Sequence, residues 1–148
     1  MHERQRYRRG MRVRRAVLGD AYVDHASTSG NALSADFQDL ITRYAWGEIW
    51  ARPGLPRRTR SLLTLATLVA LGRTDELRMH VRAALRIGVT WAQIREVLLQ
   101  SAVYCGLPAA NAAFHVAAEV EAEKRAMTTR RTHGSAPGAK QRRQRRGP

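Results

Sequence analysis

The chain of 148 residues carries 26 Lys and Arg against 12 Asp and Glu, a formal net charge of +14, with a single cysteine. One cysteine excludes an internal disulfide framework and fits a reducing, cytoplasmic compartment; no apolar run reaches the roughly 18 residues that span a bilayer, and the basic start lacks the apolar core of a secretory signal. Residues 1–15 hold +6 and residues 124–148 hold +9, leaving −1 for residues 16–123, so a nucleic-acid-binding face built into the body is disfavoured.

In chain order, Tyr7, Met11, Val13, Val17 and Leu18 interrupt the first arginines at roughly helical spacing, which predicts a helix with its arginines on a solvated face. Ser34 caps a second helix carrying Phe37, Leu40, Ile41, Tyr44 and Ala45, with Glu48 and Trp50 near its end. Gly54 and Pro56 then turn the chain, and Arg57 to Leu71 is apolar on all sides, as in a buried helix, until Gly72 stops it. Thr74 to Ile87 forms the next helix, closed by Gly88, and Thr90 with Gln93 forms a capping box for another that runs to Gly106. Pro108 suits the first turn of a last helix through Ala112, Phe114 and Val120. The expectation is an all-α bundle of about six helices over residues 1–123. Residues 124–148 form a basic tail which, from Thr128 on, holds no leucine, isoleucine, valine or aromatic residue and is expected to be disordered. Such a tail touches polyanions weakly and salt-sensitively, without aromatics to stack on bases.

The stretch RYAWGEIWARPGLPRRTR, residues 43–60, carries the densest chemistry. Arg52, Arg57, Arg58 and Arg60 are planar forks for carboxylates, Tyr44, Trp46 and Trp50 supply aromatic surface, and Glu48 is a candidate acid or base. The plainer reading makes Trp46 and Trp50 core anchors and the arginines a solvated turn. Glu76 and His80 stand one helical turn apart, so the carboxylate can orient the imidazole; as a metal pair they lack a third ligand at a recognisable spacing, and no metal is assigned. His115, with Asn111 one turn before it, is either a second site histidine or a core histidine.

Four segments, RYAWGEIWARPGL, RRTRSLLTLATLVAL, DELRMHVRAAL and VYCGLPAANAAFH, occur in this order and resemble the 4-carboxymuconolactone decarboxylase family. The likeness begins at RYRRGMRVRRAVLGDAYVD and fades after Glu123. It implies the helical fold of the alkylhydroperoxidase D-like superfamily, a homo-oligomer (hexamer or trimer), an active-site histidine at His80 and a place for His115 and Asn111 near the site. Two departures stand out: Pro56 where an acidic residue is expected after RPGL, and Arg86-Ile87 where two asparagines are expected before GVT. The superfamily's peroxidases need a C-x-x-C dithiol, but Arg73 and Glu76 fill those positions, Ser61 fills the glutamate position, and Cys105 is alone. A lone thiol cannot run an intramolecular dithiol cycle.

The activity implied is decarboxylation of 4-carboxymuconolactone, a small dianionic lactone, to the β-ketoadipate enol-lactone of protocatechuate breakdown. The substrate carries its own electron sink, so no cofactor is implied. On this reading Arg58 or Arg60, with Arg57 and Arg52 as neighbours, anchors carboxylate, His80 delivers the proton, and Tyr44, Trp46 and Trp50 shape a dry pocket. Glu48 has three open roles: alternative proton donor, partner that orients His80, or charge pressed against the leaving carboxylate. Two alternatives are a superfamily member acting on a related lactone or keto acid, and a non-catalytic helical oligomer with a polyanion-binding tail.

Overall fold

A computed structural model describes residues 2–28 and 30–133. Among them lie seven α-helices and no strand: α1 Glu3–Leu18, α2 Asp20–Thr28, α3 Ala32–Ile41, α4 Arg57–Ala70, α5 Thr74–Arg86, α6 Trp91–Cys105 and α7 Leu107–His133. Between α3 and the Gly54 turn, residues Thr42–Ile49 continue as a π-helix. The sequence reading undercounts by α2, whose DAYVDHAST buries only Val23 and so shows no apolar stripe.

Helices α4 to α7 form a bundle around Leu65 and Val69 of α4, Leu77 and Val81 of α5, Ile94 and Leu98 of α6, and Val116 and Val120 of α7. The capping box at Thr90 closes as expected: the Gln93 N–H donates to Thr90 Oγ1 at 3.1 Å and the Thr90 N–H to Gln93 Oε1 at 3.0 Å. Small residues Ala110, Ala113 and Ala117 let α7 lie close against its neighbours. Arg82 donates to both oxygens of Glu123, at 2.8 to 3.0 Å, and Arg78 Nε and Nη2 both donate to Glu119 Oε2, at 3.1 and 2.6 Å, so that α5 is tied to α7 on the outside.

A second, smaller cluster joins α1 and the π-helix to the other side of α5: Val13 and Val17 meet Trp46 and Ala83, with Trp50 and Ile87 packed against them. This crossing is close. A Cβ on Gly10 would run into the Thr42 carbonyl oxygen, and one on Gly47 would lie 2.5 Å from the Arg6 carbonyl oxygen, so both positions require glycine.

Several expectations need correction. The cap of α3 is Asn31, not Ser34; the Asn31 side chain accepts from the Ser34 N–H at 3.1 Å, which places Ser34 in the first turn. Helix α4 is buried along one stripe, Ser61, Leu65 and Val69, rather than all round, and Leu63 is 54% exposed. Phe37 and Leu40 of α3 likewise face outward. The α1 arginines are not all solvated, since Arg14 is buried and Arg6 bonds across to Glu48. Finally, α7 continues through residues 124–133, where an irregular tail is expected; lysine, arginine, alanine and methionine favour helix, Arg125 pairs with Glu121 at 2.8 Å, and no glycine or proline intervenes before Gly134. The rest of the expected tail, residues 134–148, lies outside the described residues.

Candidate active site

The π-helix sets the direction of the aromatic and acidic side chains. Its wider winding, seen in the Trp50 N–H bond to the Ala45 carbonyl at 2.8 Å, is a rare local form that is frequent at functional sites. It buries Trp46, brings the Trp46 and Trp50 rings to 4.9 Å between centroids, and aims Glu48 at α1. Arg6 Nε donates to Glu48 Oε2 at 3.0 Å. Arg6 also pairs with Glu3, Glu3 accepts from Arg43 at 3.0 Å, and Arg43 pairs with Asp39. The Arg6 guanidinium, its pKa raised chiefly by its bond to Glu48, lies 5.2 Å from the centre of the Tyr44 ring, which Arg43 also approaches. Glu48, with a side chain 40% exposed, therefore sits in a partly wet ion-pair network instead of the dry aromatic setting that the sequence suggests, and its bonded partner is Arg6, not His80.

The arginines of α4 divide. Arg58 Nε donates to the Ile87 carbonyl at 3.0 Å and its fork lies over Gly88, where a Cβ would stand 2.5 Å from Arg58 Nη2. Gly88 holds φ at 89°, which ends α5 and clears this space. Arg60 Nη2 donates to the Arg52 carbonyl at 3.3 Å, while its buried Nε has no partner. Arg60 and Trp50 line one cavity of about 250 Å³ together with Ile49, Leu63, Thr64 and Leu68. Arg57 is exposed at the start of α4.

His80 lies partly buried on α5, less than one turn from Ala83 of the second core cluster. Its Nδ1 is shut off from solvent and has no hydrogen-bond partner. Burial lowers its pKa to about 4, with the Glu76 charge pulling the other way, so the imidazole is neutral at pH 7. Glu76 is exposed and acts on His80 through its charge; the carboxylate is expected to orient the imidazole, but Nδ1 accepts or donates no hydrogen bond. Ser61 of α4 is fully buried with Oγ unpartnered, as are His80 Nδ1, Arg60 Nε and, within the ion-pair network, Arg43 Nε. In the sequence Ser61 stands only where a peroxidase would need glutamate; the signal that marks it is a polar residue in the second turn of α4, at the head of the Leu65–Val69 stripe. Arg6 was hidden among six other N-terminal arginines.

Asn111 and His115 are exposed on α7 and are not gathered with Trp50 and Arg60. Cys105 is free and lines a groove of about 370 Å³ between α4 and α6 with Tyr104, Leu62 and Val97. Among the described residues no three His, Cys, Asp or Glu side chains converge as metal ligands, and no helix is long and apolar enough to cross a membrane.

Helices without strands among the described residues, bearing arginines at the head of α4 and a neutral histidine on α5, define the class: an all-α protein with a basic, aromatic-lined candidate site. The chain belongs to the carboxymuconolactone decarboxylase family, whose profile matches residues 35–119. It is 53% identical over 120 residues to the 4-carboxymuconolactone decarboxylase of Acinetobacter baylyi, covering 81% of this chain and 90% of that one. A nitrosuccinic acid decarboxylase of Metarhizium robertsii is 45% identical over 105 residues, 71% of this chain and 73% of its own. A 4-carboxymuconolactone decarboxylase sequence of Pseudomonas putida is 54% identical over 48 residues, 32% of this chain and all of its own.

Proposed function

We propose that this protein decarboxylates 4-carboxymuconolactone to the β-ketoadipate enol-lactone without a cofactor. The observation that carries the reading is the 53% identity to the Acinetobacter baylyi enzyme across nine-tenths of its length. Loss of carbon dioxide from the ring carbon sends its electron pair through the ring double bond into the lactone carbonyl; the resulting dienolate then takes a proton at carbon. The substrate supplies the electron sink, and the protein has to hold two carboxylates, stabilise the enolate oxygen and move one proton.

The arginines of α4 suit the first task. Arg60 has an unused buried Nε beside the Trp50 cavity, and Arg58 keeps its outer fork free of the Ile87 bond, so both support carboxylate binding. His80 is neutral at pH 7. An arriving dianion favours the protonated imidazole, so substrate binding itself charges the proton carrier, which then delivers to carbon. Glu48, held by Arg6, serves best as a fixed negative charge against the leaving carboxylate. Asn111 and His115 belong to this site only if a second subunit brings them there. Val103, Tyr104 and Leu107 at the α6–α7 junction, with Tyr104 82% exposed, support a homo-oligomer, trimer or hexamer, as the working form in the cytoplasm.

The relative named for nitrosuccinic acid favours a second reading in which the substrate is another small dicarboxylate with its own electron sink. Decay of ultraviolet absorbance with freshly generated 4-carboxymuconolactone, against an enzyme-free control, decides between them. Turnover well above the control establishes the first reading. A rate equal to the control, with carbon dioxide released from nitrosuccinate, establishes the second.

A further inference from the structure

Arg14 is 3% exposed, yet no carboxylate acts on it among the described residues. Its Nη1 donates to Thr42 Oγ1 at 3.0 Å and its Nη2 to Gln38 Oε1 at 2.7 Å, both neutral acceptors, and its Nε has no partner. Burial pushes its pKa down, opposed only by Tyr22 and Tyr7. Neighbouring acids are already engaged: Asp39 pairs with Arg43, and Asp20 and Asp24 with Arg15. A buried guanidinium held by neutral groups alone is costly, because its charge has lost water without gaining a counter-charge.

Arg14 lines a half-open cavity of about 200 Å³ between α1, α2, α3 and the π-helix, together with Tyr7, Asn31, Ser34, Ala35, Gln38 and Thr42. At roughly 30 Å³ per water this space holds only a few solvent molecules or an organic ion of a few carbons. Two of the five guanidinium N–H donors are used and Nε–H is shut off from solvent, so the second hydrogens of Nη1 and Nη2 are the ones left to bind a carboxylate. A single positive charge with Asp39 in the same wall suits a monoanion better than a phosphate dianion. We propose that this cavity binds one small monocarboxylate of the acetate or propionate class, which supplies the counter-charge to Arg14. The site shares no lining residue with the Trp50–Arg60 cavity and does not depend on the decarboxylase reading.

The test is thermal unfolding of the full chain at pH 7 and constant ionic strength while sodium acetate replaces sodium chloride, with calorimetric titration of acetate for stoichiometry. A ligand that binds only the folded state raises the midpoint in a saturating manner. The expected result is a rise of several degrees and one acetate per chain, retained in Arg58→Ala and lost in Ala35→Leu, which narrows the cavity from its α3 wall and leaves Arg14 in place. Arg14→Met should lose the response as well; if it fails to fold, Ala35→Leu carries the test. No rise in the unaltered protein, or an equal rise in Ala35→Leu, overturns the proposal. So does a midpoint that ignores acetate but climbs with protein concentration, which assigns the counter-charge to a second copy of the chain.

Discussion

Arg58 reaches from the first turn of α4 to the carbonyl of Ile87, 3.0 Å away, and spreads its guanidinium over Gly88 at the end of α5. One glycine thus serves two purposes. It takes the φ of 89° that closes the helix, and it leaves room for the arginine that the proposed mechanism needs. Gly88→Ala should cost about 1–2 kcal/mol for the backbone and displace Arg58, raising KM by about tenfold. Gly72→Ala is the control. Gly72 also has positive φ, at 66°, but open space around it, so it should lose similar stability and keep KM. Urea unfolding and steady-state kinetics on the two variants separate these effects.

His80 provides a pH signature. Its pKa is about 4 in the fold against an ordinary 6.5, so the unfolded chain binds the extra proton between these values. Stability from this group is complete above pH 6.5 and falls as pH drops toward 4, by at most about 3 kcal/mol. Urea unfolding at pH 4.5 and 7.0 should show a smaller difference in His80→Phe than in the unaltered protein. An unchanged difference would mean that the imidazole titrates normally. In the same variant turnover should fall by about 100-fold or more.

Glu48→Gln and Arg6→Ala test the bond between α1 and the π-helix. Both residues lie at a partly solvated surface, so the melting temperature should change little. If the Glu48 carboxylate presses on the leaving group and Arg6 holds it there, kcat should fall by about tenfold or more in each. The double variant should be scarcely worse than Glu48→Gln, since removing the holder adds nothing once the charge is gone. Additive losses would separate the two roles.

The outward apolar residues test assembly. Val103→Glu should reduce the mass seen in sedimentation while leaving the helical circular dichroism intact, because Val103 is 79% exposed in the single chain. Leu65→Ala should do the opposite, destabilising by about 2–5 kcal/mol through a cavity in the bundle core without altering the preference to associate. A Val103→Glu protein of unchanged mass would place the interface elsewhere.

What the sequence alone determined is what short-range chemistry controls. The Thr90–Gln93 box, the glycines that end α5 and α6 and Pro108 in the first turn of α7 are legible because each involves residues within one or two turns. Ordered segments resembling a known family likewise pointed to the family that the comparisons establish. The tertiary structure decided the rest. Glu48 meets Arg6 across 42 positions of chain, Arg58 meets Ile87 across 29, and Arg14 is buried under residues 24 and 28 positions away. The neutral state of His80, the orphaned Ser61 hydroxyl and the π winding that aims Glu48 toward α1 follow from the same packing. Desolvation and ion pairing depend on which surfaces meet, and periodicity along one helix identifies the apolar face without naming its neighbour.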